Sequence, residues 1–73
     1  MSAKTLRATL IDAHEAGRQG ADEQPLLAPW RGLARQAVWF AYCAGRAQAQ
    51  GRDTDALKQV ILAHRACARA LAG

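Results

Sequence analysis

Large apolar side chains are scarce in this chain, and those present recur at helical spacing. They are Leu6, Leu10, Ile11, Leu26, Leu27, Trp30, Leu33, Val38, Trp39, Phe40, Leu57, Val60, Ile61, Leu62 and Leu71. The apolar fraction is 51%, but much of it is alanine, which favours helix and buries little area. No run of β-branched residues marks a strand. A fully buried large side chain contributes about 1.5–3 kcal/mol, so a core this thin barely outweighs chain entropy. With 73 residues the chain sits near the lower size limit for folding alone. These features predict one small all-α domain, 1–73, helped by self-association or by a bound partner.

Three helices fit the periodicity, over about 3–19, 29–50 and 54–72. Ser2 is the expected cap of the first and Gly20 its stop; Ala3, Leu6, Leu10, Ala13 and Gly17 share one arc. Gly17 marks either a close helix approach or a weak last turn. Residues 21–28 form a connector whose Leu26 and Leu27 tuck back onto the core. Pro29 suits the first turn of the second helix, and Gly51 ends it. Asp53 or Thr54 caps the third helix, which carries the apolar stripe Leu57, Val60, Ile61, His64, Cys67, Ala68 and Leu71. Arg65 and Arg69 near its C-terminus complement the helix dipole.

The short link around Gly51–Asp53 predicts that the second and third helices form an antiparallel hairpin, giving a three-helix domain. In that register Cys43 lies level with Leu62. Cys67 is then five residues away, roughly 7 Å along the axis, which disfavours a disulfide and leaves both cysteines as small core residues.

The formal charge is +4, unevenly spread. Residues 1–23 carry Lys4, Arg7 and Arg18 against Asp12, Glu15, Asp22 and Glu23, for a net −1. Residues 24–52 carry Arg31, Arg35, Arg46 and Arg52 and no acid, for a net +4. Residues 53–73 carry Lys58, Arg65 and Arg69 against Asp53 and Asp55, for a net +1. A basic middle third suits a polyanionic partner such as nucleic acid; the plainer alternative is a solvated arginine face.

The second helix divides into two faces. Trp30, Leu33, Ala37, Phe40, Ala41, Ala44 and Ala47 take one arc, and Arg31, Arg35, Val38, Trp39, Tyr42 and Arg46 the other. Guanidiniums interleaved with flat rings can bind phosphates and stack on bases, so Arg31, Arg35, Trp39, Tyr42 and Arg46 are the candidate nucleic-acid-binding residues. The alternative puts Trp39 and Tyr42 in the core, with the arginines extending around them.

Little else carries chemistry. His64 is centred on an apolar stripe, as a core histidine would be. No Cys-x₂-Cys pair, His-x₃-His spacing or carboxylate cluster indicates a metal, and no glycine-rich phosphate loop indicates a nucleotide cofactor. Cys67 and His64 would need a pocket too large for this chain to act as a nucleophilic pair. The expectation is a binding protein, not an enzyme, with no cofactor. Met1–Gly20 contains no continuous apolar segment of the secretory kind, and no apolar run approaches the roughly 20 residues that span a bilayer, so a cytoplasmic location is expected.

The stretch over about residues 13–47 resembles the ribosome modulation factor family. The segment Ala-His-Glu-Ala-Gly-Arg-Gln-Gly (13–20) is similar to that family's first helix. Ala28-Pro29-Trp30 stands where the family has Cys-Pro-aromatic, and Leu33 and Trp39 follow the proline at the family's spacing. The chain departs at Ala28, at Cys43 in place of a second tryptophan, with Tyr42 one position earlier, and in its third helix. The resemblance implies binding to small-subunit ribosomal RNA and silencing of ribosomes in slow growth. The leading expectation is an RNA- or ribosome-associated translational repressor. The alternative is a small homodimeric inhibitor, of phage or mobile-element type, that occludes a host protein; its small-residue face (Ala37, Ala41, Ala44) and thin core motivate it.

Overall fold

Among the described residues every regular element is helical, and the order is α1 (Ala3–Gln19), α2 (Gln24–Leu27), α3 (Gly32–Ala49) and α4 (Asp53–Ala72). The computed structural model describes residues 3–73. Ser2, the expected cap of α1, and the side chain of Ala3 lie outside the described residues. None of these helices is long and apolar enough to cross a membrane.

Two of the helix ends obey one local rule. Gly20 and Gly51 take positive φ, at 69° and 76°, a region that a side-chain-bearing residue enters only at a cost. Each lets the chain fold back on the end of its helix. Ala21 N–H donates to the Ala16 carbonyl and Arg52 N–H to the Ala47 carbonyl, both at 2.9 Å, closing Schellman motifs that satisfy carbonyls the helix leaves free.

Helix starts depart from expectation. The connector is not irregular throughout: Pro25 sits in the first turn of α2, where its missing N–H costs nothing. Four helices, three of them long, therefore replace the expected three. Pro29 is not the first turn of the following helix, because α3 begins three residues later at Gly32. The cap of α4 is Arg52, without a side-chain cap bond; Asp53 and Asp55 instead occupy its first turn, near the positive end of the dipole. Arg52 Nη1 bridges Asp55 Oδ2 at 3.1 Å.

The centre of the molecule is α3. It packs against α1 on one side and α4 on the other, whereas α1 and α4 meet only marginally. A three-residue turn brings α4 back onto α3. The core gathers Leu6 and Ala13 of α1, Leu27 of α2, Ala34, Ala37, Val38, Ala41 and Tyr42 of α3, and Ala63, Ala66 and Cys67 of α4. Leu27 is buried and Leu26 packs beside it, as the connector reading required.

The contact between α1 and α3 is unusually close. A methyl group on Gly17 would collide with the Tyr42 carbonyl oxygen, and one on Gly45 would collide with the His14 carbonyl oxygen. Each glycine thus rests on the backbone of the opposing helix. Of the two readings of Gly17, close approach is the one realised.

The α4 stripe is rotated relative to expectation. Ala63, Ala66 and Cys67 face inward, while Leu57 is 63% exposed and Ile61 and His64 are exposed as well. His64 is therefore not a core histidine. Alanine allows α4 to lie closer to α3 than leucine would, and the close fit claims the small-residue side of the helix. Both cysteines are free; Cys67 is buried, but Cys43 is only half-buried.

Candidate nucleic-acid interface

The flank of α3 turned away from α4's apolar stripe carries the basic and aromatic side chains. At 100° per residue Arg35, Trp39 and Arg46 fall within about 40° of one another, and Tyr42 lies at the inner edge of that strip. Trp39 is 41% exposed. Tyr42, by contrast, is 3% exposed, so its ring is not available to stack on a base. This corrects its assignment as a contact residue: Tyr42 is the foundation of the strip.

Tyr42 is held from three directions. Its hydroxyl donates to the Ala21 carbonyl at 2.5 Å, fastening the end of α1 to the middle of α3. The Trp39 ring stacks on it at 5.9 Å between centroids with an 18° interplanar angle. The Arg46 guanidinium carbon lies 6.0 Å from its centroid, at cation–π range. Trp39 and Arg46 thereby flank the Tyr42 ring on one side of α3, one flat surface and one cation, both exposed.

Arg31 and Arg35 stand further toward the start of α3. Arg35 Nη1 donates to the Leu27 carbonyl at 3.2 Å, and Arg31 Nη1 reaches the carbonyls of Ala28 and Trp30 at 3.4 Å each. Leu27 and Ala28 stand at the C-terminal end of α2, where helix carbonyls concentrate negative potential, and Trp30 follows two residues later. The two arginines therefore pin α2 to α3. A guanidinium has five N–H donors, and these bonds leave most of them unspent. Among the described residues, the two ion pairs are Arg18–Glu15 and Arg52–Asp55; Arg31, Arg35 and Arg46 are in neither.

Cys43 borders the strip. Burial pushes its thiol above the ordinary value, Arg46 pulls it back, Glu23 raises it again and Arg52 lowers it. Burial prevails, so the thiol is kept neutral and poorly nucleophilic.

Across α3 from the strip lies an open groove. Ala41, about 200° around the helix from Trp39, contributes to its floor. Leu10 and Ile11 of α1 form one wall and Val60, His64 and Leu71 of α4 the other, enclosing about 760 Å³. Ile11 on the lip is 71% exposed. A sequence stripe that puts Val60, His64 and Leu71 in the core misses this groove, which they line. Among the described residues no group of three His, Cys, Asp or Glu side chains gathers as a metal site would require. No protein-family model, curated protein or solved structure matches the chain.

Proposed function

We propose that this chain is a small RNA-binding protein that represses translation by occluding a site on the small ribosomal subunit. The observation that carries the reading is the α3 flank: exposed Trp39 set between Arg35 and Arg46, with Arg31 beyond, and none of the three guanidiniums in an ion pair among the described residues. The guanidiniums supply forked donors to phosphate oxygens, and the indole offers a face on which an unpaired base or a ribose stacks. Tyr42 contributes by fixing the ring and the cation beside it. The resemblance of residues 13–47 to ribosome modulation factors supports the choice of RNA among polyanions.

Titrating a single-stranded small-subunit RNA fragment by fluorescence anisotropy, at a series of salt concentrations, tests the reading. Arg31→Ala/Arg46→Ala is expected to weaken binding at least tenfold in low salt. It should also flatten the slope of log K against log salt by roughly 1.4–1.8, because two phosphates no longer release counterions. Unchanged affinity at low salt would refute the assignment.

A second reading is favoured by a separate observation. The groove between α1 and α4 presents uncovered apolar side chains, which is how a homodimeric protein-interaction inhibitor that blocks a host protein would look. Under that reading RNA affinity is weak and insensitive to the α3 arginines, and the same titration distinguishes the two.

A further inference from the structure

We infer that the α1–α4 face is the seat of a second copy of this chain, with α1 of each protomer laid against α4 of the other. The inference does not depend on RNA binding, because the basic strip lies across α3 from this face.

Three observations lead to it. The first is the inverted packing of α4, which turns its alanines toward α3 and leaves Leu57 and Ile61 outward, beside a groove whose other lip is Ile11. Ile11 on one lip, Leu57 where a smaller hollow adjoins the groove at His14 and Val60, and Ile61 one turn further along α4 are exposed apolar side chains that a solitary domain has no reason to keep in water.

The second is area. The molecule is broad and thin, 34 × 23 × 17 Å, so its broad face projects about 780 Å² (34 × 23). A standard stable interface buries roughly 800 Å² per partner. A single added helix, about 10 Å across, would cover less than half of that face; a copy of the same three-helix layer matches its dimensions.

The third is charge. The acids lining the groove, Asp12 and Glu15, are both on α1 with Arg7 beside them; Glu15 is already paired with Arg18, so Asp12 is the acid open to a partner copy. Beyond its first turn α4 carries Lys58, Arg65 and Arg69 and no acid. A two-fold axis running along the helices places α1 of one copy opposite α4 of the other and pairs Asp12 with Arg65 twice at the rim of one isologous interface. The pair is at the rim because Arg65 stands about 100–140° around α4 from the groove wall of His64, Leu71 and Val60. An axis across the helices would set α4 against α4 and bring like charges together.

Sedimentation equilibrium of the full chain supplies the test. The wild type is expected to show twice the 7.8 kDa protomer mass. Ile11→Glu/Ile61→Glu should sediment as a monomer with an unaltered helical circular dichroism spectrum, since both side chains are exposed in the protomer; Leu57→Lys provides the same readout from a different position. Asp12→Arg and Arg65→Asp should each weaken dimerisation about tenfold, and the double exchange should restore it. A wild type that stays monomeric at every concentration overturns the inference, whether the groove then takes another protein or nothing. So does a dimer that survives the groove substitutions, and a charge exchange without rescue overturns the α1-to-α4 pairing. RNA titrations on the monomeric variant keep the two proposals apart, because failure of one leaves the other's readout intact.

Discussion

The two faces of α3 meet their neighbours in opposite ways. Toward α1, backbone lies on backbone: Gly17 and Gly45 remove the side chains that would hold the helices apart, and the Tyr42 hydroxyl ties the end of α1 in place. Toward α4 the contact is an alanine seam, and on α4 the side-chain oxygen of Gln59 is buried without a hydrogen-bond partner. One contact is specified atom by atom. The other supplies modest apolar area, with the larger side chains of α4 held outside it. The lesson is that a domain this small concentrates its specificity in one helix pair; under the proposed dimer, α4 gains further burial from the partner copy.

Substitutions at the glycines should break the first contact most severely. In Gly45→Ala the new methyl meets a backbone carbonyl, which cannot swing aside as a side chain would. Overpacking of this kind costs about 1–3 kcal/mol or more, against a gain of about 1 kcal/mol in helix propensity. A domain of this size has total stability of only about 4–11 kcal/mol. Gly17→Ala/Gly45→Ala should therefore be clearly destabilised, its midpoint falling in urea titrations followed by circular dichroism, and a native-like midpoint would show that the two helices can separate freely.

A smaller effect is expected at Tyr42. Loss of its hydroxyl in Tyr42→Phe removes one hydrogen bond and leaves the Ala21 carbonyl less satisfied, for about 1–2 kcal/mol of stability. RNA affinity should change little. Trp39→Ala should do the reverse, lowering RNA affinity by about 1–3 kcal/mol while shifting the denaturation midpoint only slightly. Paired denaturation and anisotropy measurements on the two variants would expose any error in dividing foundation from contact surface.

The smallest effect belongs to α4. In the monomeric Ile11→Glu/Ile61→Glu background, Leu57→Gln should alter stability by less than about 0.5 kcal/mol, as expected of a surface position. A loss of 2 kcal/mol there would mean that Leu57 is a core residue and that the seam has been misjudged.

Much of the helical framework was legible in the sequence because glycine carries position-specific information. Gly20 and Gly51 end their helices through a backbone conformation that other residues resist, and the arc containing Leu6, Ala13 and Gly17 is the buried one. Of the expected strip Arg31, Arg35, Val38, Trp39, Tyr42 and Arg46, the structure leaves Arg31, Trp39 and Arg46 exposed and Arg35 half-buried, while Val38 and Tyr42 are buried. Tyr42 and the α4 stripe were misread for one reason: helical spacing locates a face, but not which neighbour will claim it or how closely. With glycine and alanine at the contacts, the close fit takes the small side chains and turns Leu57, Ile61 and His64 outward. A glycine in the middle of α3, where alanine would be the better helix former, was the available clue to the crossing at Gly45.

The reciprocal glycine crossing has a bearing on how such a chain can drift. Since each of the two positions abuts the other helix's peptide carbonyl, a methyl at either one forces the pair apart and removes the steric reason for keeping the second bare. The two sites are thus a single heritable unit, and descendants should either retain both or abandon both together with the geometry that holds Trp39 and Arg46 on the Tyr42 ring.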